Sequence, residues 1–242
     1  MTETIKIFVV AGGRGNRLSP RTLGILPKSL IPLAGKPVIS YQLQIYEKFG
    51  IKNITLSFNE QWQIDLYKKY IELGLVPNFN YEYHLRPYIP EQHHFDSLKA
   101  FLRNNFKSGV TIIFSAGDIV FTNKFFSTLL SMSNRNKFSI LIKDKPDKAV
   151  KNRILTKNNL IYGVDPNKYA TWTLNCFFLI QSNSIKNLYK ASLKEGHRTL
   201  DFVNKSLSED KKVLAIWPKR EEFLNINSEK DYFDATLLVK NL

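Results

Sequence analysis

Cysteine is almost absent from this sequence of 242 residues, and its scarcity excludes several kinds of protein. The single cysteine, Cys176, cannot form a disulfide within the chain, and no cysteines and histidines stand at zinc-ligand spacing. Long apolar runs are absent as well: none approaches the roughly 18 residues of a membrane helix, and the amino terminus shows no secretory cleavage pattern. We therefore expect a cytoplasmic protein that is not held in a membrane.

Acidic residues are few compared with basic ones. The sequence has 35 Lys and Arg against 21 Asp and Glu, which gives a formal net charge of +14. Such a surface attracts polyanions in general. The basic residues are scattered, however, and no nucleic-acid recognition motif is present. Phosphorylated small molecules explain the charge equally well, and we expect neither nucleic acid nor a membrane as a partner.

The first half of the sequence alternates β-branched or aromatic runs with segments of helical periodicity. Strands are predicted at residues 5–10, 54–58, 80–84 and 110–114, and helices at residues 38–49, 61–73 and 97–106. Such alternation is typical of a parallel sheet covered by helices on both faces. The pattern therefore predicts an α/β fold.

The second half is less regular. Strands are predicted at residues 138–142, 153–156, 160–162, 171–179, 213–217 and 223–226, and helices at residues 123–132, 182–194 and 200–207. A last helix is predicted after Ser228, because Asp231 three residues later completes a pattern that resembles a capping box. Neither a linker nor a repeat is visible. We therefore expect one domain over residues 1–242, with a mixed, mostly parallel central sheet flanked by helices.

A glycine-rich segment, AGGRGNRL at residues 11–18, follows the first predicted strand. Gly12, Gly13 and Gly15 would let backbone amides approach an anion closely, and Arg17 adds a fork of donors for phosphate oxygens. By itself the loop is a weak signal, since dinucleotide-binding folds and simple tight turns also have glycines there. Its spacing is neither that of the dinucleotide fingerprint nor that of a P-loop.

The segment that follows, LPKSLIPLAGKPVISYQL at residues 26–43, is more specific. Taken with AGGRGNRL, it resembles the sugar-phosphate nucleotidyltransferase family, which includes NDP-sugar pyrophosphorylases and phosphocholine or polyol-phosphate cytidylyltransferases. The resemblance is close over the first 60 residues and looser beyond them. It implies a Rossmann-like, GT-A-like fold and transfer of a nucleotide to a phosphorylated acceptor with release of pyrophosphate.

The resemblance also implies roles for residues of the opening segments. Ala11 and the three glycines of the loop would wrap the nucleotide. Arg17 would hold the departing pyrophosphate, and Lys28 would bind the phosphates during the reaction. Fixed cations suit this chemistry, because attack on the α-phosphorus builds negative charge on the surrounding oxygens.

A catalytic Mg²⁺ is the cofactor that the resemblance implies. Asp118, in SAGDIVF after a central strand, matches the aspartate with which the family binds this ion. The second ligand is expected in NINSEKDY, where Asn225 and Asn227 would share one face of a strand. Asn227 falls at the family's acidic position; its amide oxygen can coordinate Mg²⁺ but adds no charge.

Two departures from the family pattern concern the substrates. His93, His94 and Phe95 replace the usual Gly-Thr-Ala, and we expect His94 to contact the base or the acceptor. Val164-Asp165-Pro166 replaces Glu-Lys-Pro, so the acceptor-side lysine is missing and Lys168 could stand in for it. Asn175, in contrast, matches an asparagine that contacts the acceptor in sugar enzymes.

The leading hypothesis is a Mg²⁺-dependent nucleotidyltransferase that uses CTP or GTP and a phosphorylated sugar, polyol or amino alcohol; a homodimer is possible. A molybdenum-cofactor guanylyltransferase shares the glycine-rich opening but would place the lysine much closer to the arginine. A third hypothesis is a degenerate relative that binds nucleotide or sugar phosphate as a regulatory subunit. The neutral Asn227 and the Val164-Asp165-Pro166 segment favour that third hypothesis, whereas Arg17, Lys28 and Asp118 argue against it.

Overall fold

The computed structural model describes residues 4–15, 18–23, 25–87, 94–105, 109–133, 138–144, 151–169, 172–181, 184–185, 189 and 213–240. Of these, residues 19–20, 94–97, 133, 138–144, 151–154, 164–169 and 172–176 are described by their backbone alone. The chain divides into two compact units. Unit one consists of Met1–Ile5, Glu91–Phe114 and Leu130–Pro218, and unit two of Lys6–Pro90, Ser115–Leu129 and Lys219–Leu242. The single domain expected over residues 1–242 stays a prediction.

Strands and helices alternate through the first half of the chain. The strands are β1 Thr4–Val10, β2 Pro32–Leu33, β3 Lys36–Pro37, β4 Asn53–Phe58, β5 Glu82–Leu85, β6 Val110–Ala116, β7 Ile119–Phe121, β8 Phe138–Asp144, β9 Lys151–Lys157, β10 Leu160–Tyr169, β11 Trp172–Ile180, β12 Val213–Ile216 and β13 Phe223–Asn225. The helices are α1 Ser19–Thr22, α2 Val38–Lys48, α3 Gln61–Glu72, α4 His94–Arg103, α5 Asn123–Ser133 and α6 Glu229–Val239, with a 3-10 turn at Lys28–Leu30. None of the helices in the described part of the chain is long and apolar enough to cross a membrane.

The sheet of unit two is parallel. Its strands lie in the order β5, β4, β1, with Lys6 opposite Asn53 and Val10 opposite Ser57. Ile7, Phe8 and Val9 in succession are buried, as expected for a strand that is covered on both faces. Because parallel strands place their carboxyl ends at one edge, the segments that follow β1 and β4 lie next to each other.

A cluster of buried apolar residues in unit two packs its helices and short strands together. Its buried members come from β2, α2, β7, β13, α6 and the segments next to α1, β2 and β13; they are Leu18, Ile31, Leu33, Val38, Tyr41, Val120, Leu224, Ile226, Ala235, Leu238 and Val239. The α2 residue Tyr46 packs its ring against Phe121 and Phe126, with ring centroids 5.9 and 5.3 Å apart. These contacts hold β7 and α5 rigidly against α2.

Unit one has a mixed sheet. Its strands follow the order β6, β11, β8, β12, β10, β9. Strand β8 runs parallel to β12 and antiparallel to β11, and β10 runs antiparallel to β9 and to β12. The mixed extension that the second half of the sequence predicts is therefore confirmed.

Most predicted elements are confirmed within one to three residues of their predicted ends. The predicted helices at residues 182–194 and 200–207 lie largely outside the described residues. Strand β10 reaches Tyr169 instead of ending at residue 162, because β9 pairs along it as far as Lys151. The prediction missed the β2–β3 hairpin and β7, which have only two and three residues, too few for a periodic pattern.

The cap of the last helix is confirmed. The hydroxyl of Ser228 accepts a hydrogen bond from the backbone amide of Asp231 at 3.2 Å. The carboxylate of Asp231 in turn accepts hydrogen bonds from the backbone amide of Asn227 at 3.1 Å and from the Ser228 hydroxyl at 2.9 Å. The capping pair therefore fixes the start of α6 together with the residue in front of it.

Replacing Ser228 by alanine is expected to lower the free energy of unfolding by about 1 kcal/mol, because an amide of the first helical turn loses its acceptor. Thermal or urea unfolding measures this effect. Ser127→Ala, on an exposed position of α5, is the matched control and should change stability by less than about 0.5 kcal/mol. Equal stabilities of the two variants would mean that the cap contributes nothing.

Candidate active site

The glycine-rich loop at residues 11–15 leaves β1 at the carboxyl edge of the sheet of unit two. Three hydrogen bonds anchor it: the Ala11 amide donates to the Ser57 carbonyl at 2.8 Å, the Ser29 hydroxyl to the Ala11 carbonyl at 2.7 Å, and the Lys28 amide to the Gly13 carbonyl at 2.8 Å. Within the described residues, the backbone amides at positions 12–15 donate to no acceptor. Unpaired amides on an anchored loop are suited to bind an anion.

Two glycines of this loop are required by packing. A Cβ on Gly12 would lie 2.6 Å from the Asn59 amide nitrogen and 2.9 Å from Oε1 of Gln63. A Cβ on Gly15, whose φ is 62°, would lie 2.4 Å from Cγ of Lys28. At Gly13, nothing lies within 4 Å of the added atom. The first and third glycines therefore let neighbouring segments approach, whereas Gly13 leaves open space beside the loop.

Replacing Gly12 by alanine is expected to destabilise the protein by about 1–3 kcal/mol, because the new methyl group would overlap a backbone atom that cannot move aside. Gly13→Ala is the matched control, and its effect should stay within about 0.5 kcal/mol. Unfolding midpoints of the two variants test the difference. A Gly12 variant as stable as the Gly13 variant would refute the close approach of Asn59.

Side chains that the sequence analysis did not single out hold the loop from the β4 side. Asn59 donates from Nδ2 to the Gly12 carbonyl at 2.9 Å. Arg14 donates to Glu60 at 2.6 Å, and Glu60 also accepts from the indole nitrogen of Trp62 at 2.6 Å. The Arg14 bond, with that from Trp62, keeps the pKa of Glu60 below its ordinary value. The position of Asn59 and Glu60 directly after the second parallel strand could have indicated this role.

A lysine and three oxygens form the centre of the site. The ammonium of Lys28 lies 2.7 Å from Oδ2 of Asp118, 2.9 Å from Oδ1 of Asn227 and 3.0 Å from the carbonyl oxygen of Ile226. The side chains of Lys28 and Asp118 are only 12% and 14% exposed, so water screens their ion pair less than it screens a surface pair. Residues up to 199 positions apart in the sequence therefore meet at one point.

Backbone pairing brings Asp118 and Asn227 together. Strands β7 and β13 pair antiparallel with Ile119 opposite Asn225, and the Ile226 amide donates to the Asp118 carbonyl at 2.9 Å. In front of Asp118, the Gly117 amide donates to the Val10 carbonyl at 2.8 Å. A Cβ on Gly117 would lie 2.8 Å from Cβ of Ser29 and 3.2 Å from Cα of Ala11. Asp118 thus follows a tight contact with the base of the glycine-rich loop.

One prediction about these residues is wrong. Asn225 and Asn227 do not share a strand face, because β13 ends at Asn225. The pairing with β7 stops there, since β7 itself begins at Ile119. Asn227 lies in the connection to α6, where its amide is held by Asp231, and this position still turns its side-chain oxygen toward Lys28.

The side chains of the other predicted site residues lie outside the described part of the structure. Arg17 lies outside the described residues. In unit one, His94 is the first residue of α4, so the helix begins three residues before its predicted start. Lys168 lies in β10 and Asn175 in β11. Only the backbone of these three residues is described, so their expected contacts with substrates stay predictions.

The oxygens around Lys28 are of the types that suit a hard divalent cation. A carboxylate, a side-chain amide and a backbone carbonyl all lie within 3.0 Å of one atom position. Mg²⁺ takes oxygen ligands and is usually held by one or two carboxylates, with substrate phosphates and water completing its shell. The described residues contain no group of three or more His, Cys, Asp or Glu that could hold a metal ion without a substrate. The residues present therefore fit a cation that is shared with a phosphate ligand.

Comparison with known sequences places the chain among nucleotide-transferring domains. A family model of the MobA-like NTP transferase domain matches residues 7–201. A bifunctional sugar-1-phosphate nucleotidylyltransferase/acetyltransferase of Sulfurisphaera tokodaii is 36% identical over 72 residues, which is 30% of this chain and 18% of the relative. A mannose-1-phosphate guanyltransferase of Debaryomyces hansenii is 35% identical over 81 residues, covering 32% and 22%. These matches span about a fifth of each relative's length.

Solved structures resemble the chain over nearly its whole length. The CTP:phosphocholine cytidylyltransferase of Streptococcus pneumoniae superposes with a TM-score of 0.70 at 16% identity and covers 98% of this chain and 99% of its own. The inositol-1-phosphate CTP transferase of T. maritima gives a TM-score of 0.69 at 17% identity, with coverages of 100% and 98%. This likeness confirms the predicted fold class, an α/β fold with a mixed, mostly parallel sheet flanked by helices.

Proposed function

Because the chain belongs to the family of MobA-like NTP transferase domains, we propose that it transfers a nucleoside monophosphate from a nucleoside triphosphate to a phosphorylated sugar, polyol or amino alcohol. One observation carries the proposal above all others. The ammonium of Lys28 and the oxygens of Asp118 and Asn227 meet within 2.9 Å, and the Lys28 amide is bonded to the glycine-rich loop. The cation, the carboxylate and a loop whose amides at positions 12–15 have no acceptor among the described residues therefore lie together.

The reaction needs no nucleophile from the protein. A phosphate oxygen of the acceptor attacks the α-phosphorus of the nucleotide; the new P–O bond forms as the bond to the β-phosphate oxygen breaks, and pyrophosphate leaves with the electron pair. Negative charge grows on the α-phosphate oxygens and on the leaving group. Lys28 and the amides of the loop are proposed to stabilise that charge, and Arg17 to hold the pyrophosphate.

Asp118 and Asn227 are proposed to hold Mg²⁺ with the phosphates of the substrate. The ion, when bound, would neutralise the phosphates and polarise the P–O bonds. The protein contributes the fixed placement of the two side chains, which depends on the β7–β13 pairing and on the cap of α6. Because the ligand pair contains a single carboxylate, much of the ion's coordination falls to the triphosphate.

CTP or GTP is the proposed donor. The similar proteins named above include a mannose-1-phosphate guanyltransferase and two enzymes that use CTP, which supports this choice without separating the two bases. On the acceptor side, Asn175 and Lys168 are proposed to contact the phosphorylated substrate, and His94 the base or the acceptor. The bulky His93-His94-Phe95 segment is expected to restrict which pairs of substrates are accepted.

Pyrophosphate release tests the proposed reaction. The protein is incubated with Mg²⁺, each of the four ribonucleoside triphosphates and pools of phosphorylated sugars, polyols and amino alcohols. Release that depends on both one nucleotide and one acceptor supports the transfer reaction. Tight nucleotide binding without pyrophosphate release across the whole panel would instead favour the degenerate regulatory subunit. Salt-sensitive RNA binding would mean that the net charge of +14 serves a nucleic-acid partner, which the proposal does not include.

A further inference from the structure

We propose that Lys28 closes the cation site in the free protein, so that a divalent ion enters only together with the nucleotide, and that the neutral Asn227 makes this closure complete. The inference rests on the proposed function, since it concerns the same oxygens. It goes further because it assigns Lys28 a second role before any substrate is bound. It also gives a reason why an asparagine can stand where a second carboxylate would be expected.

The geometry around the ammonium is that of a filled site. An ammonium group has three hydrogen-bond donors, and Lys28 has three oxygen acceptors within 3.0 Å: Asp118, Asn227 and the Ile226 carbonyl. These are the same oxygens that fit a divalent cation. An ion that approached the free protein would therefore have to displace a fully bonded ammonium from Asp118, and the side chains of Lys28 and Asp118 are both less than 15% exposed.

The charges favour the lysine as long as no nucleotide is present. Asp118 contributes one negative charge, Lys28 cancels it, and Asn227 adds none, so the group is neutral. A neutral group offers a hydrated divalent ion little to replace its water, and Mg²⁺ gives up water reluctantly. An aspartate at position 227 would leave one negative charge uncancelled, and the free protein would then attract cations.

A bound triphosphate reverses this balance. Its oxygens provide new acceptors for the ammonium, and its charges attract the divalent ion. The stem of Lys28 already lies against the loop, because a Cβ on Gly15 would fall 2.4 Å from its Cγ. Rotation of the outer bonds of the flexible stem is therefore enough to carry the ammonium toward the loop, which frees Asp118 and Asn227 for the ion.

Mn²⁺ binding in the absence of nucleotide tests the inference, measured by electron paramagnetic resonance of free Mn²⁺ and by titration calorimetry. The wild-type protein should show no saturable binding below millimolar Mn²⁺. Lys28→Met and Asn227→Asp should each tighten binding about tenfold or more, since each makes the group more negative by one charge at close range. The double variant should bind more tightly than either. Lys48→Met, on an exposed position of α2, removes the same charge elsewhere and should leave the affinity unchanged.

Unfolding midpoints establish that each variant is folded, and the two single variants test the inference independently of each other. Tight Mn²⁺ binding by the wild-type protein alone, or affinities that neither substitution changes, would overturn the closure by Lys28. The predicted order of affinities in a protein that releases no pyrophosphate would support the closed cation site and refute the transfer reaction. Pyrophosphate release by a protein whose variants do not show the predicted order of Mn²⁺ affinities would support the transfer reaction and refute the closed cation site.

Discussion

Replacing Asp118 by alanine is expected to lower kcat/KM for pyrophosphate release by about three orders of magnitude or more, because several kcal/mol of transition-state stabilisation would be lost with the cation that Asp118 is proposed to hold. The carboxylate is also the only acidic partner that Lys28 has among the described residues, so the ammonium would lose its fixed position as well. The fold should persist, since the Ile226 amide donates to the Asp118 carbonyl and the Gly117 amide to the Val10 carbonyl, and neither bond needs the Asp118 side chain.

The control for this variant is Asp65→Ala. Asp65 is an exposed aspartate on α3 whose carboxylate accepts, among the described residues, only from Gln61, one turn away in the same helix, at 2.9 Å. The Asp65→Ala variant should keep full activity. The circular dichroism and the unfolding midpoints of the Asp65 and Asp118 variants should both stay near those of the wild-type protein. Activity of the Asp118 variant within tenfold of wild type would exclude the carboxylate from the reaction.

Lys28→Met is expected to lower kcat/KM by about 10²–10³, the effect of removing one fixed cation or hydrogen-bond donor that faces the growing charge. Methionine keeps most of the apolar stem against Gly15, so the packing of the loop should survive. The loss should appear mainly in kcat, because the charge that Lys28 is proposed to stabilise develops in the transition state. Steady-state kinetics at saturating and limiting nucleotide separates the two parameters.

Lys48→Met is the matched control, because it removes a lysine from the exposed last turn of α2. Its kcat should equal that of the wild-type protein. A Lys28 variant that raises KM but keeps kcat would mean that the lysine binds nucleotide and transition state equally well, and its proposed role in stabilising the reaction would then be wrong.

The sequence predicts well those parts of the molecule that depend on local pattern. The glycine-rich loop could be placed because it follows a buried apolar run, and the cap at Ser228 because its spacing is a local signature. Asp118 could be placed at the end of a central strand for the same reason. The contact between Asp118 and Lys28, in contrast, has no local signature, since the two residues lie 90 positions apart. The family resemblance implied only that the lysine binds the phosphates and that the aspartate binds the metal ion.

Features built from long-range pairing could not be predicted. Strand β7 has three residues, so it gives no periodic signal, and without it Asn225 and Asn227 were expected to share a strand face. The pairing of β7 with β13 decides instead that the strand ends at Asn225. The contact of Arg14 with Glu60 likewise spans 46 positions and depends on the parallel packing of β1 and β4.

The most direct test of the account is a crystal structure of the protein with Mn²⁺ and a triphosphate whose α,β-bridging oxygen is replaced by a methylene group. We expect an anomalous Mn²⁺ peak in direct contact with Asp118 and Asn227, phosphates against the amides of residues 12–15, and the Lys28 ammonium on a phosphate oxygen. A nucleotide bound elsewhere, or phosphates in the loop with Lys28 still paired to Asp118, would contradict it.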